Sequence, residues 1–117
     1  MAVLFQAIGA YVPPPVGLQS PAHWGSEPHI VALFGVQAAG LRCERRHFNF
    51  RYRSPAHWLQ VFSVFYGPIH KAFATLDAAG QQALERDITV LLEEMNTGGS
   101  DSLVVPSEYL ETVITKR

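Results

Sequence analysis

The chain has 117 residues, 48% of them hydrophobic and 16% charged, with a formal net charge of −1. That length allows one modest core, so a single domain over residues 1–117 is expected, and the apolar content excludes a disordered polar segment. The near-neutral charge excludes a protein held to nucleic acid or anionic surfaces by bulk charge, and the lone Cys43 excludes an internal disulfide, which makes a reducing, cytoplasmic setting the expectation.

The opening MAVLFQAIGAYV is apolar, with Val3, Leu4, Ala7 and Ile8 on one side of a helix. It lacks the basic n-region of a signal peptide and is shorter than the roughly 20 residues of a membrane span, so no membrane partner is expected. No capping residue precedes it, so the helix reads as cut rather than begun. Pro13, Pro14 and Pro15 stop it. The pentapeptide SPAHW then occurs at Ser20–Trp24 and returns at Ser54–Trp58. The first copy runs at once into Gly25, which allows at most a single turn inside a loop. Ser26, Glu27 and Pro28 form a helix entry: a hydroxyl cap, an acid in the first turn and an early proline. A short helix with Ile30, Leu33 and Phe34 follows, closed by Gly35.

Residues 41–53, LRCERRHFNFRYR, alternate as a strand whose apolar face carries Phe48, Phe50 and Tyr52. Leu41 and Cys43 fall on the opposite parity, and a bulge near Arg45 or Arg46 would reconcile the halves. The second SPAHW opens a helix, Ser54 capping and Pro55 in the first turn, with Trp58, Phe62, Phe65 and Tyr66 as its buried face. Gly67-Pro68 breaks it and IHKAFATL resumes. Asp77 caps the longest helix, AAGQQALERDITVLLEEMN, with Leu84, Ile88, Leu91, Leu92 and Met95 inward and Glu85, Arg86, Glu93 and Glu94 outward. After TGGSDS the tail reads as a terminal strand beginning past Pro106.

Little in this order carries chemistry. The glycines never form G-x-G, so no phosphate-cradling or dinucleotide turn is available. His23, His29, His47, His57 and His70 never fall at i, i+4, and no metal site is expected. Cys43 reads as a small core residue of a strand rather than a nucleophile. The alternation RRHFNFRYR is the pattern that stacks and neutralises single-stranded nucleic acid. Without an overall basic excess, however, the expected arrangement puts its aromatics in the core and its arginines against water or carboxylates. Nucleic acid is not the expected partner.

The wording of the chain resembles class I S-adenosylmethionine-dependent methyltransferases, in the group of ubiquinone- and menaquinone-biosynthesis enzymes. The phrases that carry the likeness are VPPP-x-G, SPA-x-WG, FNFRYRS, YGP-x-x-KAFA and VPSEYLE, spread over nearly the whole length. More narrowly, the chain looks like the C-terminal half of such an enzyme. The glycine-rich cofactor turn and the acidic residue of the N-terminal half have no counterpart here. The resemblance implies an α+β fold, helices on one face of a small antiparallel sheet made by FNFRYR and EYLETVITK, as in the C-terminal part of a Rossmann-like methyltransferase. It places VPPPVGLQSPAHWG on the acceptor side, with Tyr11, His23, Trp24 and Tyr66 as candidate pocket lining and no catalytic residue. S-adenosylmethionine is implied for the whole family enzyme; no cofactor is expected for this chain alone, and no autonomous catalysis. The expected partner is a second copy paired through a strand edge, or a separate N-terminal methyltransferase half. A stand-alone dimeric module for a small ligand is the alternative, and nucleic-acid binding through residues 45–53 the weaker one.

Overall fold

The structure, a computed structural model, describes residues 2–117. In chain order it has α1 (Ala2–Tyr11), a 3-10 turn (Pro21–Gly25), α2 (Glu27–Phe34), a second 3-10 turn (Gly35–Gln37) and β1 (Ala38–Tyr52). Then come α3 (Pro55–Phe65), α4 (Gly67–Thr75), α5 (Ala78–Met95) and β2 (Leu103–Lys116). Five helices and a two-stranded antiparallel sheet make the α+β class that the sequence predicts. No helix among the described residues is long and apolar enough to cross a membrane.

The helix starts follow their local chemistry. Ser54 accepts the His57 N–H at 3.1 Å, and the Asp77 carboxylate accepts the Gly80 N–H at 2.8 Å, each satisfying a donor the first turn leaves open. Ser26 differs from expectation: its side chain makes no cap bond to α2. Pro28 occupies the second helical position, where a capping oxygen would otherwise find an N–H.

By its contacts the chain divides into two compact units, one of Met1–Val16 with Asn49–Pro106, the other of Gly17–Phe48 with Ser107–Arg117. The first holds a hydrophobic core. Leu4 and Ile8 of α1, Trp58, Leu59 and Phe62 of α3, Ile69 and Ala72 of α4, Leu84, Ile88 and Leu92 of α5, and Leu103 and Val105 of β2 form one buried cluster. The Trp58 and Phe62 rings stack with centroids 3.9 Å apart, while Phe50 and Tyr52 of β1 meet Phe62 edge-on. Each large side chain removed from water here contributes roughly 1.5–3 kcal/mol, and the i, i+4 spacing on α3 and α5 makes that burial possible. Phe65 departs from its expected place in this face and is 82% exposed. It is the last residue of α3, and Tyr66, where the chain turns into α4, continues the buried stripe instead.

The turn between α5 and β2 is built around one side chain. Asn96 donates from Nδ2 to the carbonyls of Gly99 and Ser102, both at 2.9 Å, and accepts at Oδ1 from the N–H groups of Gly98 and Val104, both at 2.8 Å. Gly99 has φ +76, which a residue with a side chain rarely adopts. This turn lets β2 begin at Leu103, four residues before the expected start. Pro106 therefore lies inside the strand. A strand with a neighbour on one side only tolerates a proline whose missing N–H faces away from that neighbour.

In the second unit the pairing of β1 with β2 can be followed residue by residue. Thr115 lies against Gly40, the Cys43 Sγ is 3.6 Å from the Thr112 Oγ1, and His47 Nε2 is 3.9 Å from Glu108. Each step forward on β1 is one step back on β2. Continuing this register sets Phe50 opposite Val105 and Tyr52 opposite Leu103, all four on the core side of the first unit. One register therefore accounts for both halves of β1 without the expected bulge. Leu41 and Cys43 are half-buried on the other face of the ribbon. Phe48, expected with Phe50 and Tyr52 in the core, is 58% exposed. It belongs with the second unit, whereas the α3 rings that pack Phe50 and Tyr52 belong with the first.

Core in the second unit is sparse. Ile30 and Ala38 are its buried hydrophobic residues among those described, while Leu18, Trp24, Val31, Leu33, Val36 and Phe48 stay exposed.

Candidate functional site

The four candidate pocket residues separate into two pairs. Tyr11 and Tyr66 belong to the first unit and both pack on its core. The Tyr11 hydroxyl, at the end of α1, donates a short hydrogen bond to the Asp87 carboxylate on α5. That bond raises the phenol pKa, with desolvation and the Asp87 charge adding to it, because losing the proton would set two anions side by side. Tyr66 stands where α3 passes into α4, its ring 5.2 Å from that of Phe62, and burial raises its pKa. Open grooves lie beside these helices, and two of them touch α1 and α3. One of about 370 Å³ runs along α1 and α5 and includes Asp87, Leu91 and Glu94; the other, of about 420 Å³, includes Leu59, Ser63, Phe73 and Glu85. Neither is lined by Tyr11 or Tyr66.

His23 and Trp24 belong to the second unit, on the 3-10 turn formed by the first SPAHW copy. The His23 ring lies 5.4 Å from that of His29, Trp24 meets His29 edge-on at 6.3 Å, and the Trp24 and Phe34 rings are 6.4 Å apart. Gln19 Oε1 is 3.5 Å from His23 Nδ1. Two histidines and two aromatic rings thus gather on an exposed patch where turn and helix meet. A neutral imidazole there offers a donor and an acceptor beside an apolar surface. Such an arrangement is chemically suited to holding a flat or partly apolar group.

Three residues in these arrangements were not singled out by sequence reasoning. His29 and Phe34 carry a weak signal, lying in the first turn and at the end of the helix that follows His23-Trp24. Asp87 carries none: it reads as one more carboxylate on the polar side of α5, and its partner is 76 positions away.

The arginine-rich strand is largely neutralised. Arg42 pairs with Glu44 at 2.7 Å, Arg45 with Glu108 at 2.6 Å, and Arg46 with both Glu44 at 2.8 Å and Glu111 at 3.1 Å. The Glu111 bond is the main cause of a raised Arg46 pKa. These exposed pairs add little stability, but Arg45–Glu108 and Arg46–Glu111 cross from β1 to β2 and help fix which residues face each other. Cys43 is half-buried against Thr112. That neighbour is a hydroxyl, which does not activate a thiol.

Among the described residues no group of three or more His, Cys, Asp and Glu side chains is placed to hold a metal ion. In dinucleotide-binding folds the phosphates sit on a glycine turn from a strand into a helix. The two positive-φ glycines, Gly17 and Gly99, lie after the prolines and between α5 and β2. No protein-family model matches the chain, and a search of curated proteins returns no match.

Proposed function

We propose that the chain is the C-terminal, acceptor-side portion of an S-adenosylmethionine-dependent methyltransferase acting on a small molecule, and that it does not transfer methyl groups alone. The observation that supports this reading best is the sheet. The resemblance required the strands carrying FNFRYR and EYLETVITK, more than fifty residues apart and separated by helices, to form an antiparallel pair, and β1 and β2 do so. In their register, however, FNFRYR faces residues 102–107 and EYLETVITK faces residues 39–47 rather than each other. The acceptor role rests on His23 and Trp24, which sit with His29 and Phe34 on a surface suited to a partly apolar small molecule. The expectation of no independent catalysis rests on the missing glycine turn. Methyl transfer depends on holding donor and acceptor in line, and this chain supplies one side of that geometry.

Isothermal titration of the purified chain with S-adenosylmethionine is expected to give no saturable heat. The same titration after adding a separately expressed cofactor-binding half of such an enzyme is expected to give saturable binding and methyl transfer. Saturable binding by the chain alone would refute the claim that it cannot hold the donor. Failure of every cofactor-binding half to restore transfer would count against the methyltransferase reading itself.

A further inference from the structure

The outer edge of β2 is treated in two different ways along its length. At its start, Val104 directs both main-chain groups away from β1: its N–H goes to the Asn96 side chain and its carbonyl accepts the Thr97 N–H at 2.9 Å. Two residues on, Pro106 has no donor to offer. The alternation of a strand carries the same outward orientation to Glu108, Leu110, Thr112, Ile114 and Lys116. β1 is the only strand beside β2, and no turn or loop is hydrogen-bonded to these outward groups among the described residues. A capped and interrupted edge thus becomes an open one from Glu108 onward. Open edges of that kind template pairing with another strand.

The charges along the edge select its occupant. We infer that Glu108–Lys116 pairs antiparallel with the same segment of a second copy, centred on Thr112, to make a continuous four-stranded sheet. In that register Glu108 falls opposite Lys116 of the other copy, twice by symmetry, and Leu110 falls opposite Ile114. Every outward-directed residue then meets another outward-directed residue, as a hydrogen-bonded ladder requires. A register centred on Glu111 sets that carboxylate against its own copy, and one centred on Leu110 leaves Lys116 opposite Val104. The outer edge of β1 suits self-pairing less well, because its outward-directed positions carry Arg45, His47 and Arg51 with no carboxylate among them, and charged edges resist association. The physical need lies in the second unit itself. A two-stranded ribbon is marginal in water, and this one has Ile30 and Ala38 for a core. The inference stands on the strand edge and does not depend on the methyltransferase reading.

Size-exclusion chromatography with light scattering on the full chain at high micromolar concentration is expected to give twice the mass of one chain. Lys116→Glu sets like charges opposite each other at two places and is expected to weaken dimerisation about tenfold. The register is read by oxidative cross-linking in a Cys43→Ser background. Thr112→Cys brings two thiols together on the symmetry axis at a separation of roughly 5.5 Å between Cα atoms, within disulfide reach, and is expected to yield covalent dimer. Thr115→Cys faces Tyr109 and is expected to yield none. A monomeric mass overturns the inference, including one in which the edge is taken by a strand of another protein. So does cross-linking through Glu111→Cys in preference to Thr112→Cys. Far-UV circular dichroism of each variant, unchanged from the parent, secures the comparison.

Discussion

Replacing Asn96 by alanine removes a hub of four hydrogen bonds in one step. Three of them, to the Ser102 carbonyl and from the Gly98 and Val104 N–H groups, are partly buried, and the fourth, to Gly99, is exposed. Each partly buried bond contributes about 1 kcal/mol net, and the exposed one is replaced by water at small cost. The expected loss is therefore about 2–4 kcal/mol, a large share of the stability of a small domain. Equilibrium urea unfolding followed by far-UV circular dichroism measures it as a lower midpoint at unchanged slope. A second variant separates bonding from shape. Asn96→Asp keeps the two accepted bonds but turns a carboxylate oxygen toward the Gly99 and Ser102 carbonyls. That repulsion raises the folded-state pKa of the new carboxyl above its unfolded value of about 3.9. Its proton is then bound more tightly when folded, so the deficit of this variant shrinks as pH falls through the folded value and is full at neutral pH. An alanine variant within about 1 kcal/mol of the parent, or an aspartate variant with a flat pH response in this range, would refute the assignment of Asn96 as the organiser of the turn.

Other outcomes follow from the same geometry. Leu84→Ala, at a fully buried position of α5, is expected to cost about 3 kcal/mol or more by lost burial and the cavity left behind, again read by urea unfolding. Ser54→Ala removes the cap of α3 and is expected to cost about 1 kcal/mol, whereas Ser20→Ala, at the exposed five-residue turn, is expected to change the midpoint hardly at all. Tyr66 has a pKa raised by burial and Tyr11 one raised by its bond to Asp87. The neutral phenols favour the fold fully below the unfolded value of about 10, and this contribution is lost as pH rises through the folded values. Tyr11→Phe and Tyr66→Phe should each flatten the alkaline limb of stability against pH. An unaltered limb in both would refute the attribution.

Much of the architecture was legible in the sequence because it depends on neighbours along the chain. The i, i+4 stripes of α3 and α5, the Ser54 and Asp77 caps and the period-two run of β1 are local, and each is found where the pattern puts it. What was not legible depends on what lies opposite. A bulge was needed only while Leu41 and Cys43 were assumed to share a face with Phe50. Once β2 is in register, the two sets lie on opposite faces of one regular ribbon. Phe65 and Phe48 have core-like spacing, but exposure is decided by where the covering elements end. The early start of β2 depends on Asn96 bonding to Val104, eight residues away. Of the candidate site, His23 and Trp24 were visible as loop residues, but their neighbours His29 and Phe34 emerge only when the turn folds against α2.

The two SPAHW copies show how little a short word fixes by itself. In the first, the His23 N–H reaches back three residues to the Ser20 carbonyl, and the serine hydroxyl bonds the Ala22 N–H. In the second, the Trp58 N–H reaches back four residues to the Ser54 carbonyl, and the hydroxyl bonds the His57 N–H. One spelling is wound at two pitches, and the residue after it decides which. Gly25 lets the first copy lapse after a single turn, while Leu59 commits the second to eleven helical residues. The consequence reaches how function is inherited. A point change at the position after such a word can convert an exposed aromatic into a buried one that holds helices, or the reverse. A loop carrying a histidine and a tryptophan can thus arise from a structural phrase already in use elsewhere in the same chain.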